Sequence, residues 1–382
     1  MASRTEPSLE RTGRLAAELE EREVDVLLVT APVNVRYLTS FTGSHGLALI
    51  ARDGGLGDAA RGSGGGGGGP SRFFTDFRYS TQSAEQVPEA FEREIVAGDM
   101  LEAVASSLAG STGRLGYDEA QLTVKAHRRL TELLDGAWQL VPCNGMVERL
   151  RSVKEPGEVE RIRAAAELAD EALRATLEAG IVGRTEREVA IEIELRMRRL
   201  GATAPSFSSI VAAGANGALP HAEPRDEEIP AGVLVTIDWG ALHEGYCSDC
   251  TRTFATGEEL SDLARETYGL VLRAQERGLS AVRAGPTGRE VDAVAREVIE
   301  QAGQGAHFGH GLGHGVGMEV HEGPRLSQTA GDEPLRAGQV VTVEPGVYVP
   351  GSLGVRIEDL VVVGTDGQEV LTSLPKELTV VS

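Results

Sequence analysis

The chain has 382 residues, of which 41% are hydrophobic, and it carries a formal net charge of −21 at pH 7. This length accommodates two domains with full cores and excludes a short peptide scaffold. The acidic balance opposes binding to a phosphate backbone, so we exclude nucleic acid as a partner.

The N-terminal stretch Met1–Ser8 is polar and lacks the apolar core of a signal peptide, and no later run is long enough to span a bilayer. These observations predict a cytoplasmic protein without a membrane partner. The chain has only three cysteines, a small odd number that is typical of a reducing compartment.

Residues 1–148 alternate between helical and strand patterns, which predicts an α/β domain. We predict a helix over 9–22 and an apolar strand over 24–29, followed by strands near 47–50, 72–74 and 138–141. A glycine-rich stretch between two of these strands predicts a disordered loop over 54–70. It lacks the Lys-Ser/Thr pair and the following helix of a phosphate-binding P-loop.

Residues 149–382 follow a different pattern, in which a pair of helices precedes each of two similar strands. Pro156 lies in the first turn of a long amphipathic helix that ends at Gly180. Thr185 and Glu188 form the capping box of a second helix that runs to about residue 200. With two more helices predicted over 260–282 and 288–302, the arrangement is α+β with pseudo-twofold character.

The two similar strands each end on an acid. Residues 231–240 end their β-branched run at Asp238, and residues 337–346 repeat the pattern and end theirs at Glu344. Soon after each run a second acid follows on another extended segment, namely Asp249 and Glu358. Burying acids in apolar strands is unfavourable unless a cation neutralises them, so the duplicated pairs predict a shared metal site.

A glycine- and histidine-rich segment lies between the two acid pairs. Four of the eight histidines of the chain fall within residues 307–322. The glycines indicate a tightly turning backbone, and the imidazoles supply nitrogen ligands or proton carriers near neutral pH. We therefore predict that this segment belongs to the functional site.

Several short motifs surround these acids and histidines: Asp238-Trp239-Gly240, Ser248-Asp249-Cys250-Thr251-Arg252, Gly313-His314-Gly315, Val320-His321-Glu322, Thr342-Val343-Glu344-Pro345-Gly346 and Arg356-Ile357-Glu358-Asp359. In these motifs, and over nearly its whole length, the chain resembles the pita-bread metallopeptidases of the Xaa-Pro aminopeptidase and prolidase type. This resemblance implies a creatinase-like N-terminal α/β domain over 1–148 and a pita-bread catalytic domain over 149–382.

The resemblance also implies a ligand set for two divalent metal ions. Asp249 and Glu358 would bridge both ions, Asp238 would hold one of them, and His314 with Glu344 would hold the other. Two ions about 3.5 Å apart lower the pKa of a shared water and stabilise an oxyanion. The oxygen-rich ligands suit Mn²⁺ best, and their geometry also permits Co²⁺, Fe²⁺ or Zn²⁺.

Further roles follow from the same resemblance. His321 would hydrogen-bond the scissile peptide and assist proton transfer, and His221 would help to stabilise the intermediate. His310 would lie in the pocket or behind the ligands. Arg356, two residues before Glu358 and on the same strand face, would orient the bridging acids.

These residues predict an Xaa-Pro aminopeptidase that cleaves before a proline in the second position of a peptide. The alternative is an Xaa-Pro dipeptidase, because the motifs are common to both. Methionine aminopeptidases would leave the first domain unexplained, and creatinases or non-catalytic pita-bread binding modules would be expected to lack the ligands. The resemblance further implies a homodimer.

The remaining candidates are interpreted as structural. Cys247 and Cys250 form a Cys-x-x-Cys, but residues three apart on a strand point to opposite faces and lie beyond disulfide reach. Asp76 is predicted to cap a helix that follows a strand. The isolated histidines are expected to be structural or exposed: His45, His127 and His243.

Overall fold

The computed structural model of the chain describes residues 6–52 and 71–382. The chain divides into two compact units, Met1–Arg151 and Ser152–Ser382. The predicted domain boundary after residue 148 falls within the helix Met146–Ser152, and it stays a prediction. The predicted loop over 54–70 lies outside the described residues. No helix within the described ranges is long and apolar enough to cross a membrane.

The first unit is built around a mixed sheet with the strand order β4-β3-β2-β1-β5-β6. Strand β2 is antiparallel to both β1 and β3, and the remaining neighbours are parallel. Its strands are β1 (Val26–Val29), β2 (Gly46–Ala51), β3 (Ser71–Asp76), β4 (Phe91–Val96), β5 (Gly113–Tyr117) and β6 (Trp138–Pro142). The helices are α1 (Glu6–Glu21), α2 (Pro32–Thr39), α3 (Ser80–Gln86), α4 (Met100–Ser107), α5 (Val124–Leu134) and α6 (Met146–Ser152).

The core of this unit explains why β1 is a continuous apolar run. Every residue of β1 is buried, as expected of a central strand that is covered on both faces. Val26 and Leu28 pack with Phe74 of β3, Val104 of α4 and Leu130 of α5. The predicted α/β class of the first unit is confirmed.

Asp76 ends β3 and caps the turn that follows, as predicted. Its carboxylate accepts a hydrogen bond from the backbone N–H of Arg78, at 2.9 Å, which begins the 3₁₀ turn Phe77–Tyr79. The carboxylate also accepts a hydrogen bond from the ring of His45, at 2.6 Å. The hydrogen bonds from Arg78 and His45 hold the pKa of Asp76 well below its usual range. His45 is exposed, in agreement with its interpretation.

The second unit contains two helix pairs and several small sheets. Its helices are α7 (Pro156–Glu178), α8 (Glu186–Leu200), α9 (Asp262–Ala281) and α10 (Gly288–Gln301). The strands of its first half are β7 (Ala204–Pro205), β8 (Ile210–Ala213), β9 (Leu234–Trp239), β10 (Ala241–His243), β11 (Tyr246–Cys247) and β12 (Cys250–Ala255). The second half has β13 (Gly313–Gly315), β14 (Glu322–Leu326), β15 (Val340–Val343), β16 (Gly346–Val349), β17 (Leu353–Arg356), β18 (Asp359–Val363) and β19 (Gln368–Val370).

The two halves of this unit repeat one plan. After the α7–α8 pair, β9 pairs antiparallel with β12; after the α9–α10 pair, β15 pairs antiparallel with β18. Leu173 and Ile193 from the first helix pair pack against Ile237 of β9, and Val271 and Val291 from the second pair lie in one core with the residues of β15. The unit is therefore the predicted pseudo-twofold α+β pita-bread fold, and the ends of β9 and β15 lie near its centre.

The capping box predicted for α8 is present. Thr185 Oγ1 accepts a hydrogen bond from the N–H of Glu188, whose carboxylate in turn accepts one from the N–H of Thr185. Thr287 and Glu290 make the same reciprocal pair at the start of α10. The second helix of each pair therefore begins with the same local device.

Candidate metal centre

The four predicted acidic ligands lie at or beside strand ends. Asp238 is in β9 and Glu344 directly follows β15, whereas Asp249 and Glu358 lie one residue before β12 and β18 rather than within strands. Because β9 pairs with β12 and β15 with β18, each first acid is brought next to the second acid of its pair. One carboxylate oxygen from each of Asp238, Asp249 and Glu358 lies within 4.8 Å of the other two.

His314 adds an imidazole to this cluster. Its Nε2 lies 3.3 Å from Glu344 Oε1 and 3.5 Å from Asp249 Oδ2. Its Nδ1 lies 3.0 Å from the carbonyl oxygen of Gly315, which can only accept a hydrogen bond. The Nδ1 atom therefore carries a proton, and Nε2 faces the acids. Burial lowers the pKa of His314, but the hydrogen bond and charge of Glu344 outweigh it and raise the pKa. A cation in the cluster would bind Nε2 in place of its proton.

The acids are buried to an extent that perturbs their titration. Burial raises the pKa of Asp249 and of Glu358 well above the usual range, and the neighbouring carboxylates add to the rise. Burial also raises the pKa of Asp238. Burial acts in the same direction on Glu344, but the hydrogen bond and charge of His314 outweigh it and lower the pKa of Glu344 to about 2. Without a cation, it is energetically unfavourable for all four buried carboxylates to be ionised together.

One oxygen in the cluster has its hydrogen-bonding capacity unused. Asp238 Oδ1 is buried and makes no hydrogen bond within the described part of the chain, whereas Asp238 Oδ2 is held by Arg356. Leaving a buried acceptor unsatisfied costs roughly 1–3 kcal/mol, which a cation at this oxygen would offset. Four clustered carboxylates and one oriented imidazole therefore fit hard divalent cations.

Arg356 is a buried guanidinium that connects several parts of the site. Its Nη2 donates to Asp238 Oδ2 at 2.7 Å, and its Nε donates to Thr251 Oγ1 at 3.0 Å. Thr251 in turn donates to Glu358 Oε2 at 2.7 Å. The prediction placed Arg356 on the bridging acids; in the structure it binds Asp238 directly and reaches Glu358 only through Thr251.

His310 belongs to the same hydrogen-bond chain. Its Nδ1 donates to the carbonyl of Gly311 at 2.8 Å, and its Nε2 accepts the hydroxyl proton of Tyr348 at 2.9 Å. The Tyr348 oxygen accepts from Arg356 Nη1 at 2.8 Å. Burial lowers the pKa of His310, in agreement with a neutral ring that accepts from tyrosine. His310 therefore lies in the pocket but is held behind the acids.

A second buried ion pair, between Arg252 and Asp359, lies beside the main chain of Glu358. Arg252 and Asp359 are both about 1% exposed, and Arg252 Nη2 donates to Asp359 Oδ1 at 2.8 Å. Arg252 Nη1 and the Cys250 thiol both donate to the main-chain carbonyl of Glu358. These contacts hold the main chain at Glu358 against strand β12. Cys247 and Cys250 are buried thiols without a disulfide, as the packing interpretation requires.

A cavity of about 600 Å³ opens over the cluster. All nine predicted site residues line it: His221, Asp238, Asp249, His310, His314, His321, Glu344, Arg356 and Glu358. The ring centroids of His314 and His321 lie 4.4 Å apart, and His321 and His221 are exposed. Burial and the nearby His314 lower the pKa of His321.

The cavity also contains residues that the sequence analysis missed. Phe207, Ile210 and Val320 form apolar parts of its wall, and Arg325 adds a guanidinium. Arg325 follows His321 by four residues and lies opposite His314 in the β13–β14 pairing, a relationship that the chain alone does not reveal. Tyr348, the partner of His310 and Arg356, could have been recognised from the sequence, because a tyrosine in an apolar strand needs a partner for its hydroxyl.

Two family comparisons cover most of the chain. Residues 160–365 match the metallopeptidase family M24, and residues 11–153 match the creatinase/prolidase N-terminal domain. Together with an acid- and imidazole-lined cavity, these matches define a metal-dependent peptidase. The chain belongs to metallopeptidase family M24, and the predicted resemblance is confirmed.

Individual relatives extend over nearly the whole chain. The Xaa-Pro dipeptidase of Pyrococcus furiosus is 36% identical over 370 residues, which are 97% of this chain and 99% of that protein. The structure of an Xaa-Pro dipeptidase from Bacillus anthracis is 40% identical, covers 98% of this chain and 99% of its own, and gives a TM-score of 0.89. An X-Pro aminopeptidase from Thermotoga maritima is 36% identical, covers 94% and 99%, and gives a TM-score of 0.83.

Proposed function

We propose that this chain is an Xaa-Pro dipeptidase, which hydrolyses the bond between a first residue and a proline that carries the free carboxylate. The observation that carries this proposal is Arg325, a cation that lines the cavity over the acid cluster and makes no hydrogen bond or ion pair with the described residues. The names of the Pyrococcus furiosus and Bacillus anthracis relatives support the dipeptidase, which was the alternative prediction from the sequence, over the aminopeptidase. Aminopeptidase activity is the other outcome of the test below.

We assign the ligands as the resemblance implies. Asp249 and Glu358 would be shared by two divalent ions, Asp238 would bind one of them, and His314 with Glu344 would bind the other. When bound, such ions supply a nucleophilic water at neutral pH and stabilise negative charge on the substrate. We propose Mn²⁺ as the native metal because the donor set is rich in oxygen.

The remaining polar side chains are proposed to act on the peptide. His321 hydrogen-bonds the scissile peptide and carries a proton towards the leaving proline nitrogen, which has no N–H of its own. His221, exposed on the cavity wall, donates to the oxygen that gains charge. Arg356 holds Asp238 in place, and His310 is oriented by Tyr348.

Arg325 is proposed to recognise the carboxylate of the dipeptide. Two arginines line the cavity, and Arg356 is fully engaged by Asp238, Thr251 and Tyr348. Arg325 is exposed, and its guanidinium makes no hydrogen bond or ion pair with the described residues. A guanidinium binds a carboxylate through two parallel hydrogen bonds. Only a dipeptide has its carboxylate on the proline itself.

The apolar wall is compatible with a proline ring in the same cavity. Phe207, Ile210 and Val320 are all half-buried and face the cavity. A proline ring against such a wall gains hydrophobic contact, and it has no N–H group that would need an acceptor there.

The homodimer and the cytoplasmic location stay predictions.

The experiment compares metal-stripped and Mn²⁺-reloaded protein on Ala-Pro, Ala-Pro-Ala and Ala-Ala-Ala, with products followed by mass spectrometry. We expect metal-dependent cleavage of Ala-Pro that clearly exceeds cleavage of Ala-Pro-Ala, with Ala-Ala-Ala left intact. Preferred cleavage of Ala-Pro-Ala would instead indicate an aminopeptidase. No cleavage by protein with two bound metals would mean that the substrate class is wrong.

An Arg325→Met variant tests the basis of the length preference. We expect its kcat/KM on Ala-Pro to fall by about 10- to 100-fold, mainly through KM, with a much smaller change on Ala-Pro-amide. Arg277→Met is the matched control, because Arg277 is an exposed arginine of α9 that is not part of the cavity wall. An equal loss on the acid and the amide would contradict this role of Arg325.

A further inference from the structure

His221 is held by its backbone rather than by its ring. It lies in the segment 214–224, which follows β8 and begins with the 3₁₀ turn Gly214–Ala218. Within the described residues the imidazole of His221 makes no hydrogen bond or ion pair, and the residue is exposed. The place of the ring in the cavity therefore depends on whatever fixes this segment.

One carboxylate fixes both ends of the segment. Glu186, in the first turn of α8, is 1% exposed. Its Oε1 accepts from the N–H of Ala213 at 2.8 Å and from Arg225 Nη2 at 3.1 Å. Its Oε2 accepts from Asn216 Nδ2 at 2.9 Å, from the N–H of Arg225 at 2.9 Å and from Arg225 Nε at 3.1 Å. Five donors from three residues thus converge on one side chain.

These contacts close the segment into a loop with its two ends on the same anion. Ala213 is the last residue before the segment and Arg225 is the first residue after it. Asn216 also donates to the carbonyl of Glu223 at 3.3 Å, which connects the 3₁₀ turn to the last residues of the segment. Ordering these residues in advance removes an entropic cost that substrate binding would otherwise meet.

The far side of the loop rests on the metal site. Arg356 Nη1 donates to the carbonyl of Pro220, directly before His221, at 3.0 Å. Gly217 lies against Gly354 of β17 so closely that a Cβ atom at Gly354 would be 1.7 Å from Gly217 O. The loop is therefore clamped at its base by Glu186 and at its tip by Arg356.

We propose that Glu186 is a positioning residue for His221, which acts from outside the cavity by holding the ends of the loop. This inference rests on the proposed function for the role of His221 in the reaction. Glu186 does not line the cavity, so its effect reaches the substrate only through the loop. It serves the reaction by presenting the His221 ring at a fixed point of the wall.

Glu186→Gln is the direct test, because all five partners of the carboxylate are donors. Glutamine retains one acceptor oxygen and points its own N–H₂ group at the remaining donors. We expect kcat/KM on Ala-Pro to fall by about 10- to 100-fold with metal content unchanged. Asp170→Asn is the matched control, a carboxylate-to-amide change at a buried acid of α7 that binds Ser373 instead of the loop.

Background variants separate positioning of His221 from a general structural effect. In a His221→Ala background, Glu186→Gln should cause little further loss, because the residue through which it acts is gone. In an Arg325→Met background it should keep its full effect. Arg225→Met, which removes only two of the five contacts at a half-exposed side chain, should show the same pattern with a smaller loss. It supplies the test if Glu186→Gln does not fold.

Amide hydrogen exchange gives a readout that does not need the substrate. Glu186→Gln should speed exchange at residues 213–225, and Asp170→Asn should not. Unchanged exchange there, or an equal loss of activity in the His221→Ala background, would overturn the proposal. If the wild-type protein cleaves no Xaa-Pro peptide, the proposed function fails, while the exchange experiment still decides whether Glu186 holds the loop.

Discussion

Gly313 lies directly against the main chain of Thr342, so that a Cβ atom at Gly313 would be only 2.0 Å from Thr342 O. The contact brings β13, which carries His314, beside the end of β15, which Glu344 directly follows. Thr342 Oγ1 accepts from the N–H of His314 at 3.1 Å and donates to Glu344 Oε1 at 3.1 Å. The glycine therefore lets a single threonine set the relative position of His314 and Glu344.

Gly313→Ala should consequently disturb both stability and metal retention. The new methyl group must push β13 away from β15, and overpacking of this kind costs about 1–3 kcal/mol. We expect a lower midpoint in denaturant unfolding and weaker retention of Mn²⁺ during dialysis. Gly309→Ala is the control from the same glycine-rich segment, since a Cβ atom at Gly309 has no neighbour within 4 Å. Equal behaviour of the two variants would show that the close approach does not matter.

Arg356→Lys tests whether the branched guanidinium, and not only its charge, is required. A lysine can keep one contact to Asp238 but loses the contacts to Thr251, Tyr348 and Pro220 that a fork makes together. We expect metal affinity to fall by roughly 10- to 100-fold, as measured by titration with Mn²⁺.

Arg163→Lys is the matched substitution for Arg356→Lys, at an arginine whose ion pairs are with the exposed Glu160 and Glu369. It should leave metal affinity unchanged, because exposed ion pairs contribute little and lie away from the cavity. Wild-type metal affinity in Arg356→Lys would mean that charge alone suffices.

His321→Ala should lower turnover far more than it lowers metal content. His321 lines the cavity but lies outside the proposed ligand set, so its loss removes a proton carrier and leaves the cluster intact. We expect kcat to fall by about 100-fold or more, with elemental analysis showing an unchanged metal-to-protein ratio. His243→Ala, at a half-buried ring near Gly201 O, should change neither. Loss of metal before loss of turnover would show that His321 is a ligand.

Periodicity and capping residues predicted much of the fold because they act locally. The apolar run of β1, the capping box of Thr185 and Glu188, and the duplicated strands β9 and β15 are all written in short stretches of chain. Sequence reasoning placed Asp249 and Glu358 on extended segments, and the structure has them in the connections just before β12 and β18. Asp238 alone of the four acids lies within a paired strand, whereas the other three lie in connections next to strands, which a local strand pattern does not specify.

Contacts between distant segments were not predictable in the same way. Arg356 was expected to hold the bridging acids because it lies two residues from Glu358, yet its direct partner is Asp238, 118 residues away in the chain. The five donors around Glu186 come from residues 27 to 39 positions away. Such partners depend on how strands and loops pack, which no local pattern specifies.

Asp170 allows a prediction about pH that is independent of the metal ligands. Its carboxylate is 1% exposed, Oδ2 accepts from the N–H and hydroxyl of Ser373, and Oδ1 is buried without a partner in the described residues. Burial raises the pKa of Asp170 above its ordinary value of 3.8. Between the ordinary and the folded pKa, the folded state therefore keeps a proton that the unfolded state releases.

The sign of the effect follows from proton linkage. Below the ordinary pKa both states are protonated and the acid does not alter stability. As pH rises from the ordinary pKa to the folded pKa, the unfolded state releases its proton while the folded state keeps it, so stability falls and stays lowered above the folded pKa. Asparagine keeps an acceptor for Ser373 and never ionises. The stability of Asp170→Asn relative to wild type should therefore improve as pH rises above the ordinary pKa of 3.8.

Urea unfolding at several pH values, with both proteins kept free of metal by a chelator, measures this difference. Titration of the acid cluster is then common to both proteins and cancels in the comparison. Asp226→Asn is the control, an exposed carboxylate paired with Arg187 at the surface, and its difference from wild type should hardly change with pH. A stability difference between Asp170→Asn and wild type that stays constant or shrinks towards neutral pH would show that the pKa of Asp170 is not raised in the folded protein.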